Sequence, residues 1–200
     1  GVRMQLRQAG VSTAVGRGHI EGRDENGYRV RVGDEVYVGK NLLIATGSQA
    51  SIPPIDGVKT ALEEGYVLTS REIFDIEDIP ASFVVIGGGV VGLEMASYFN
   101  SAGSDVTVIE MLDHIAGDTD RDISKILMQN YEKKGIEFVL SARVTAIGDG
   151  KVTYEKQGEA FEVKADKVLM SVGRRPNTAD IGLENIGVDI DRGAIVTDER

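Results

Sequence analysis

The 200-residue sequence contains no cysteine. Disulfide bonds, thiolate metal sites and thiol catalysis within this chain are therefore excluded. Long hydrophobic runs are also missing, and none approaches the roughly 20 apolar residues that a membrane-spanning helix needs. We therefore predict a soluble, cytoplasmic protein without membrane partners.

Positive charge is scarce: 22 Lys and Arg residues against 32 Asp and Glu residues give a net charge of -10 at pH 7. This balance disfavours nucleic acids and anionic membranes as partners. The two histidines, His19 and His114, have neither a nearby nucleophile nor zinc-ligand spacing, so we interpret both as surface or locally bonded residues. The first residues show no charged and apolar leader, and we interpret the helix-like segment 1–9 as the end of a helix whose beginning would precede Gly1.

Residues 83–110 have the pattern of a strand, a glycine-rich turn, a helix and a second strand. Residues 83–86 form a continuous apolar run, which is typical of a strand buried on both faces of a parallel sheet. Gly87, Gly89 and Gly92 follow at the dinucleotide fingerprint spacing. The first glycine permits a tight turn, the second permits close approach of a pyrophosphate, and the third permits close packing of helix on strand. The stretch predicts a dinucleotide-binding unit.

An acidic residue follows at the expected distance. Glu110 ends the second predicted strand, residues 106–109, and lies 18 positions after Gly92. A carboxylate at this point can bind the adenosine ribose hydroxyls, while the helix N-terminus favours a diphosphate. An ordinary tight turn is the alternative, and it explains neither the flanking elements nor the acid.

The order of elements recurs in the two halves of the chain. The second half predicts a helix and then a strand, a meander and an apolar strand at 120–134, 136–140, 143–147, 151–156, 160–164 and 167–172. The apolar side of the predicted helix carries Ile123, Ile126, Leu127 and Tyr131. The first half predicts the same order at 1–9, 11–15, 18–21, 28–32, 35–38 and 41–46. Gly10 to Gly47 spans 37 positions and Gly135 to Gly173 spans 38. We interpret the halves as copies of one design, and expect the glycine-rich unit of the first copy to precede Gly1.

Three motifs carry a family resemblance. They are Asn-Leu-Leu-Ile-Ala-Thr-Gly-Ser at 41–48, Val-Ile-Gly-Gly-Gly-Val-Val-Gly-Leu-Glu at 85–94 and Ser-Val-Gly-Arg-Arg-Pro-Asn at 171–177. Taken together, they make the whole chain similar to the pyridine nucleotide-disulfide oxidoreductases. The resemblance is closest to the family members that oxidise dihydrolipoamide. It implies an oxidoreductase in which electrons pass from this dithiol through a redox disulfide and FAD to NAD.

The fold class predicted is α/β. It comprises a three-layer dinucleotide-binding (Rossmann-like) domain, with a parallel sheet and an antiparallel β-meander, and an incomplete second domain of the FAD type. Residues 1–70 are predicted to be the partial FAD-binding domain and a connector, 71–176 the NAD-binding domain, and 177–200 a segment returning to the FAD-binding domain. Within this scheme residues 52–70 are interpreted as a proline-punctuated connector and 72–74 as a short helical turn.

The resemblance also implies the cofactor contacts. For NAD the residues are Gly87, Gly88, Gly89, Val90, Val91, Gly92, Glu94, Glu110, Val144 and Gly173. Residues 87–94 would surround the pyrophosphate and the nicotinamide ribose, Glu110 would hold the adenosine ribose, Val144 would line the adenine pocket, and Gly173 would lie near the nicotinamide. Glu94 has a plainer alternative role, which is to complement the helix dipole. For FAD, in the whole protein, the residues are Thr46, Gly47 and Ser48.

Several parts implied by the resemblance have no counterpart in these 200 residues, including the redox disulfide and the first flavin fingerprint. We therefore place no catalytic residue in this chain, and expect the chain alone to be inactive and not to retain FAD. The whole protein is expected to be a homodimer associated with 2-oxoacid dehydrogenase complexes. The alternatives are a glutathione-reductase-like, mercuric-reductase-like or transhydrogenase-like flavoprotein, or a non-catalytic nucleotide-binding module.

Two further clusters of charged residues have interpretations that involve no ligand. Asp118, Asp120 and Asp122 imitate the start of a calcium loop, but the sixth and twelfth positions depart from that pattern. We predict no metal site there and interpret the acids as residues favoured at a helix N-terminus. Arg174 and Arg175 could clamp a phosphate or form a solvated connector, and the sequence leaves both open.

Overall fold

The computed structural model describes residues 1–199. The α-helices are α1 (Val2–Gln8), α2 (Val58–Glu63), α3 (Val90–Ser101) and α4 (Arg121–Lys133). The strands are β1 (Gly18–Asp24), β2 (Gly27–Val32), β3 (Glu35–Gly39), β4 (Ser48–Ala50), β5 (Val67–Leu68), β6 (Ser82–Ile86), β7 (Asp105–Ile109), β8 (Glu137–Val139), β9 (Ala142–Gly148), β10 (Lys151–Lys156), β11 (Glu159–Lys164), β12 (Lys167–Met170), β13 (Arg174–Pro176), β14 (Ile190–Asp191) and β15 (Ala194–Ile195). Short 3₁₀ turns cover Glu72–Asp75 and Leu183–Ile186.

The chain forms two compact units. One is Ala50–Arg174, and the other combines Gly1–Gln49 with the chain from residue 175 onward. The larger unit is built on a five-stranded sheet in the order β5-β12-β6-β7-β8. Every pairing in this sheet is parallel. The predicted α/β class with a parallel sheet is confirmed.

Two apolar layers cover this sheet, because its central strands are apolar on both faces. On one face Phe83 and Val85 pack against Phe99 of α3, and the two phenyl rings lie 4.3 Å apart. On the other face Val84 and Ile86 pack against the antiparallel sheet β11-β10-β9, together with α2. The predicted three layers and meander are therefore confirmed within this unit.

The smaller unit is mainly antiparallel. Strands β1, β2 and β3 form a meander, and β14 pairs with β15. Its buried hydrophobic side chains among the described residues are Ile20 and Leu183. A hydrogen bond links the 3₁₀ turn Leu183–Ile186 to β1, because the side-chain Nδ2 of Asn185 donates to the carbonyl of Ile20 at 2.7 Å. This unit therefore has a much smaller apolar core than the larger one.

Two strands predicted in the first half are wrong. Residues 11–15 and 41–46 have no regular structure. Val15 is 94% exposed and Leu43 is 88% exposed. A strand requires hydrogen bonds to a neighbour, and no described strand pairs with either segment. Their apolar composition therefore does not produce strands here.

The interpretation of residues 52–70 as a proline-punctuated connector omitted regular structure that this segment contains. This segment contains α2 and β5, and β5 extends the parallel sheet by pairing with β12. Residues 50–70 consequently pack with the larger unit, whereas the predicted boundary fell after residue 70.

Helix α4 matches its predicted bounds closely, but the side of the helix that faces solvent is not the one predicted. Ile123 and Ile126, expected on its apolar side, are each 56% exposed. The helix contacts the core through Tyr131, whose ring lies 6.4 Å from that of Phe138, and through the buried Ser124. Across the described chain, no helix combines the length and apolarity that a membrane span demands.

Candidate dinucleotide-binding site

The glycine turn lies at the carboxyl edge of the parallel sheet, between β6 and α3. Gly87 has φ +105°, a conformation that side chains with a Cβ rarely adopt. A Cβ at this residue would also lie 2.6 Å from the carbonyl oxygen of Ser171. The first glycine is therefore required both by backbone conformation and by the adjacent strand end.

The other two fingerprint glycines differ from each other. A Cβ on Gly92 would lie closer than 3.0 Å to the Gly87 carbonyl oxygen and 2.7 Å from Ser171 Oγ. A Cβ on Gly89 would meet no described atom within 4 Å. Gly92 is thus required by internal packing, whereas Gly89 leaves an open face above the backbone. An open face is what close approach of a diphosphate requires.

The start of α3 supplies hydrogen-bond donors at this open face. Gly89 is the N-cap residue, and its carbonyl accepts the Leu93 amide at 3.0 Å. The amides of the first helical turn have no partner within the helix, and the helix dipole adds partial positive charge there. Val90 and Val91 are exposed on this turn. The N-terminus of α3 is therefore suited to bind an anion, and the two valines offer apolar contacts beside it.

Glu110 is fixed beside the turn by two backbone amides. Its Oε2 accepts from Gly88 N at 2.6 Å, and its Oε1 accepts from Leu112 N at 2.8 Å. Hydrogen bonds to a charged acceptor are stronger than neutral ones, so the carboxylate has a defined orientation. Each carboxylate oxygen retains acceptor capacity for a further donor. Two adjacent hydroxyl groups are suitable donors.

The segment after Glu110 supports the turn from the other side. The amide of Ala116 donates to the carbonyl of Gly88 at 2.7 Å. Ile115 is buried, and its own carbonyl accepts Ser124 Oγ at 2.8 Å. Gly88 is therefore hydrogen-bonded at both its amide and its carbonyl by groups of the protein itself.

The remaining predicted NAD contacts lie near these elements. Val144 is half-buried on β9, and the start of that strand reaches Glu110 because Ala142 N donates to Glu110 O at 3.0 Å. Gly173 is exposed with φ +116°, just after β12. Glu94 is exposed near the start of α3. Their roles in binding stay predictions.

The residues predicted to contact FAD lie in the smaller unit. Thr46 and Gly47 are exposed, and Ser48 begins β4. Asn177, the last residue of the third motif, donates to the backbone of both Thr46 and Gly47. Its backbone amide donates to Gly47 O at 3.0 Å, and its side-chain amide donates to Thr46 O at 3.1 Å. The first and third motifs are thus joined by hydrogen bonds.

The local bonding predicted for His114 is confirmed. Its Nδ1 lies 2.8 Å from Asp113 Oδ1, and its Nε2 lies 3.0 Å from the Gly117 carbonyl. Hydrogen bonds from His114 and from Arg121 lower the pKa of the Asp113 carboxyl. His19 is exposed on β1.

The acidic cluster before α4 caps the helix. Asp120 is its N-cap, and its Oδ1 accepts the amides of Asp122 and Ile123 at 2.9 and 3.3 Å. The described residues contain no group of three or more His, Cys, Asp or Glu side chains that could hold a metal ion. Arg174 and Arg175 are exposed, and Arg174 Nη1 donates to Ser70 Oγ at 3.2 Å.

Sequence reasoning missed Ser171. Its hydroxyl contacts the carbonyls at the end of β6, next to the glycine turn. Its signals in the sequence are its place at the end of a predicted apolar strand and at the start of the third motif, and neither shows which groups its hydroxyl contacts. Ile115 and Ala116 were also missed, because their contacts with the turn depend on the path of the loop after β7.

The larger unit thus combines a parallel α/β sheet, a glycine turn at the carboxyl ends of its strands and a carboxylate fixed beside that turn. The chain belongs to the pyridine nucleotide-disulphide oxidoreductase family, whose sequence profile matches residues 1–200. It is 44% identical over 199 residues to a dihydrolipoyl dehydrogenase of Acholeplasma laidlawii, covering 100% of this chain and 57% of that protein. It is 38% identical over 208 residues to a dihydrolipoamide dehydrogenase of Chaetomium thermophilum, covering 100% of this chain and 40% of that one.

A solved structure supports the same placement. The Cu(II) complex of the HOCl-induced flavoprotein disulfide reductase RclA from Escherichia coli matches with a TM-score of 0.83 and 27% identity, covering 99% of this chain and 45% of that chain. The family resemblance drawn from the three motifs is confirmed. The chain thus spans about half the length of the relatives it matches.

Proposed function

We propose that this chain is the NAD(H)-binding part of a flavin-dependent disulfide oxidoreductase. The whole protein would oxidise dihydrolipoamide with NAD as the final acceptor. The observation that carries the proposal is the Glu110 carboxylate, which lies 2.6 Å from Gly88 N and so stands directly beside the glycine turn. The names of the curated relatives support dihydrolipoamide as the substrate.

The residues present fit a dinucleotide. The open face of Gly89 lies at the N-terminus of α3, where a diphosphate would accept hydrogen bonds from first-turn amides. Glu110 would accept from the adenosine ribose hydroxyls, with Val144 beside the adenine. Gly173 and Glu94 would lie near the nicotinamide. When bound, NAD supplies the hydride-accepting ring, and this chain's own residues bind and orient it.

The assignment of domains follows from this site. The larger unit, residues 50–174, would form the NAD-binding domain, with residues 1–49 and the chain from residue 175 onward belonging to an FAD-binding domain. In the whole protein, Thr46, Gly47 and Ser48 would contact FAD. We further propose that the whole protein is a cytoplasmic homodimer that works with 2-oxoacid dehydrogenase complexes, as expected for a dihydrolipoamide-oxidising enzyme.

Calorimetric titration of the chain with NADH tests the binding proposal. The Glu110→Gln variant places an amide NH₂ against one of two backbone donors, so we expect NADH affinity to fall at least tenfold, or about 1.4 kcal/mol. Glu137→Gln is the matched control, because Glu137 is an exposed carboxylate on β8 that accepts from Thr107 Oγ1 at 3.5 Å. Its affinity should match that of the unmodified chain.

Two outcomes would overturn the proposal. The first is an unmodified chain that does not bind NADH, and the second is a Glu110→Gln variant that binds as tightly as the Glu137→Gln control. The substrate is tested separately on the whole protein, by following NAD reduction with dihydrolipoamide. Reduction with another dithiol but not with dihydrolipoamide would contradict that part.

A further inference from the structure

We propose that Ser171 is a positioning residue for the dinucleotide site. Its hydroxyl fixes the orientation of the Gly87–Gly88 peptide and, through it, the relation between the glycine turn and Glu110. The inference rests on the proposed NAD(H)-binding function and adds to the site a residue that directly follows β12.

The hydroxyl of Ser171 bridges two carbonyls at the end of β6. Its Oγ lies 3.0 Å from Ile86 O and 3.1 Å from Gly87 O. The backbone amide of Ser171 also donates to Ile86 O, at 2.9 Å. Because that amide already supplies Ile86 O, the hydroxyl is the donor available to Gly87 O.

The peptide between Gly87 and Gly88 is consequently held at both ends. A peptide unit is planar, so its carbonyl and its amide rotate together. Ser171 Oγ holds the carbonyl oxygen of Gly87, and Glu110 Oε2 holds the amide of Gly88 at 2.6 Å. A rotation released at the carbonyl end would move the amide away from the carboxylate. Glycine on both sides offers little steric resistance to that rotation.

Packing around the hydroxyl matches a positioning role. A Cβ on Gly92 would lie 2.7 Å from Ser171 Oγ, so the hydroxyl stands against the first turn of α3. A Cβ on Gly87 would lie 2.6 Å from Ser171 O. Ser171, the residue directly after β12, therefore lies against both the first and the third fingerprint glycines. Only a small side chain fits between them, and a hydroxyl adds the donor that alanine lacks.

The test compares Ser171→Ala with Ser104→Ala in the 200-residue chain. Ser104 is a matched control because it is buried, and its Oγ also donates to a carbonyl, that of Pro80, at 2.6 Å. It precedes β7, at the opposite edge of the sheet from the glycine turn. NADH affinity, thermal midpoint and hydrogen exchange of the Gly88 amide are measured for both variants.

We expect Ser171→Ala to weaken NADH binding about three- to tenfold and to speed exchange of the Gly88 amide, with a fall in thermal midpoint no larger than that of Ser104→Ala. Ser104→Ala should lower the midpoint and leave both NADH affinity and Gly88 exchange unchanged. AMP lacks the diphosphate bridge and the nicotinamide, so its affinity should change less than that of NADH in Ser171→Ala.

The outcomes separate this inference from the proposed function. If the unmodified chain does not bind NADH, the proposed function is wrong and the inference falls with it. If the unmodified chain binds NADH and Ser171→Ala binds equally well, the inference alone is overturned. Equal losses of NADH affinity in Ser171→Ala and Ser104→Ala would also overturn it, because they would show a general effect of destabilisation.

Discussion

Gly89 and Gly92 lie three residues apart, yet the structure predicts opposite consequences when each is changed to alanine. A Cβ on Gly92 would approach backbone and side-chain atoms of Gly87 and Ser171 closer than 3.0 Å, and would lie 3.1 Å from Val85 Cγ1. A Cβ on Gly89 would meet no described atom within 4 Å, and Gly89 has φ -76°, which alanine adopts readily. Gly92→Ala should therefore disturb the fold, and Gly89→Ala should disturb only the ligand.

The magnitudes follow from these contacts. Overpacking a tight site costs about 1–3 kcal/mol, and the higher helix propensity of alanine offsets up to about 1 kcal/mol of that. The net loss for Gly92→Ala is about 1–2 kcal/mol, which lowers the thermal midpoint of a chain of this size by about 2–8 °C. For Gly89→Ala the reduced entropy of the unfolded chain offsets the weaker N-cap, so stability should change by about 0.5 kcal/mol or less.

Thermal unfolding and NADH titration of the two variants check the reasoning. Gly89→Ala should keep the midpoint of the unmodified chain and lose at least tenfold in NADH affinity, since its methyl group would lie on the open face at the start of α3. Gly92→Ala should unfold at a lower thermal midpoint than the unmodified chain. A stable Gly92→Ala variant, or a Gly89→Ala variant with unchanged affinity, would refute the assignment of these two roles.

Three further predictions concern stability. Phe99→Ala should cost about 3–5 kcal/mol in urea unfolding, because the ring is buried against Phe83, whereas Tyr98→Ala on the exposed side of α3 should cost far less. The pKa of Asp166 is lowered by hydrogen bonds from Ser82, so its folded-state pKa lies below its unfolded one. Its contribution is present above the unfolded pKa and is lost as pH falls through the folded one, so the gap between the urea midpoints of the unmodified chain and Asp166→Asn should close on acidification. Hydrogen exchange should protect the amides of β6 more than those of β2, since the smaller unit has little apolar core, and equal protection would contradict this.

The sheet of the larger unit was predictable because fully buried strands leave a continuous apolar run. Strands β6 and β7 match predicted residues 83–86 and 106–109 closely. Strand β5 has two residues and α2 has six, and such short elements show no periodicity that separates them from a connector. Their structure depends on the neighbouring β12 and on the meander.

The two wrong strands in the first half have a different physical origin. Residues 11–15 and 41–46 carry the apolar composition of strands, but composition does not show whether a partner strand is available. Pairing is a property of the whole fold. The same limit explains why Ile123 and Ile126 were expected on the apolar side of α4, whose contacts with the core are made elsewhere on the helix.

In the site, the identities of the glycines and of Glu110 were predictable because the spacing of a strand, turn and helix fixes them along the chain. The partners of each glycine were not predictable. Ser171 is 79 positions after Gly92 in the sequence, and only the parallel pairing of β12 with β6 brings it to the turn. Sequence spacing thus located the turn, and tertiary structure supplied its supports.

The choice between NADH and NADPH tests whether Glu110, beside the glycine turn, holds the adenosine ribose. A carboxylate accepts from the 2′-hydroxyl of NADH but repels the 2′-phosphate of NADPH. The following residues do not offset that repulsion: Met111 and Leu112 are uncharged, and Arg121 is paired with Asp113 at 3.0 Å. Charge-assisted hydrogen bonds are worth about 1.5–3 kcal/mol, and tenfold discrimination needs only about 1.4.

The decisive measurement is calorimetric titration of the chain with both cofactors, repeated on Glu110→Ala. We predict that NADH binds at least tenfold more tightly than NADPH, and that Glu110→Ala loses most of this preference. Equal affinities for the two cofactors, or an unchanged preference in Glu110→Ala, would show that Glu110 does not hold the adenosine ribose.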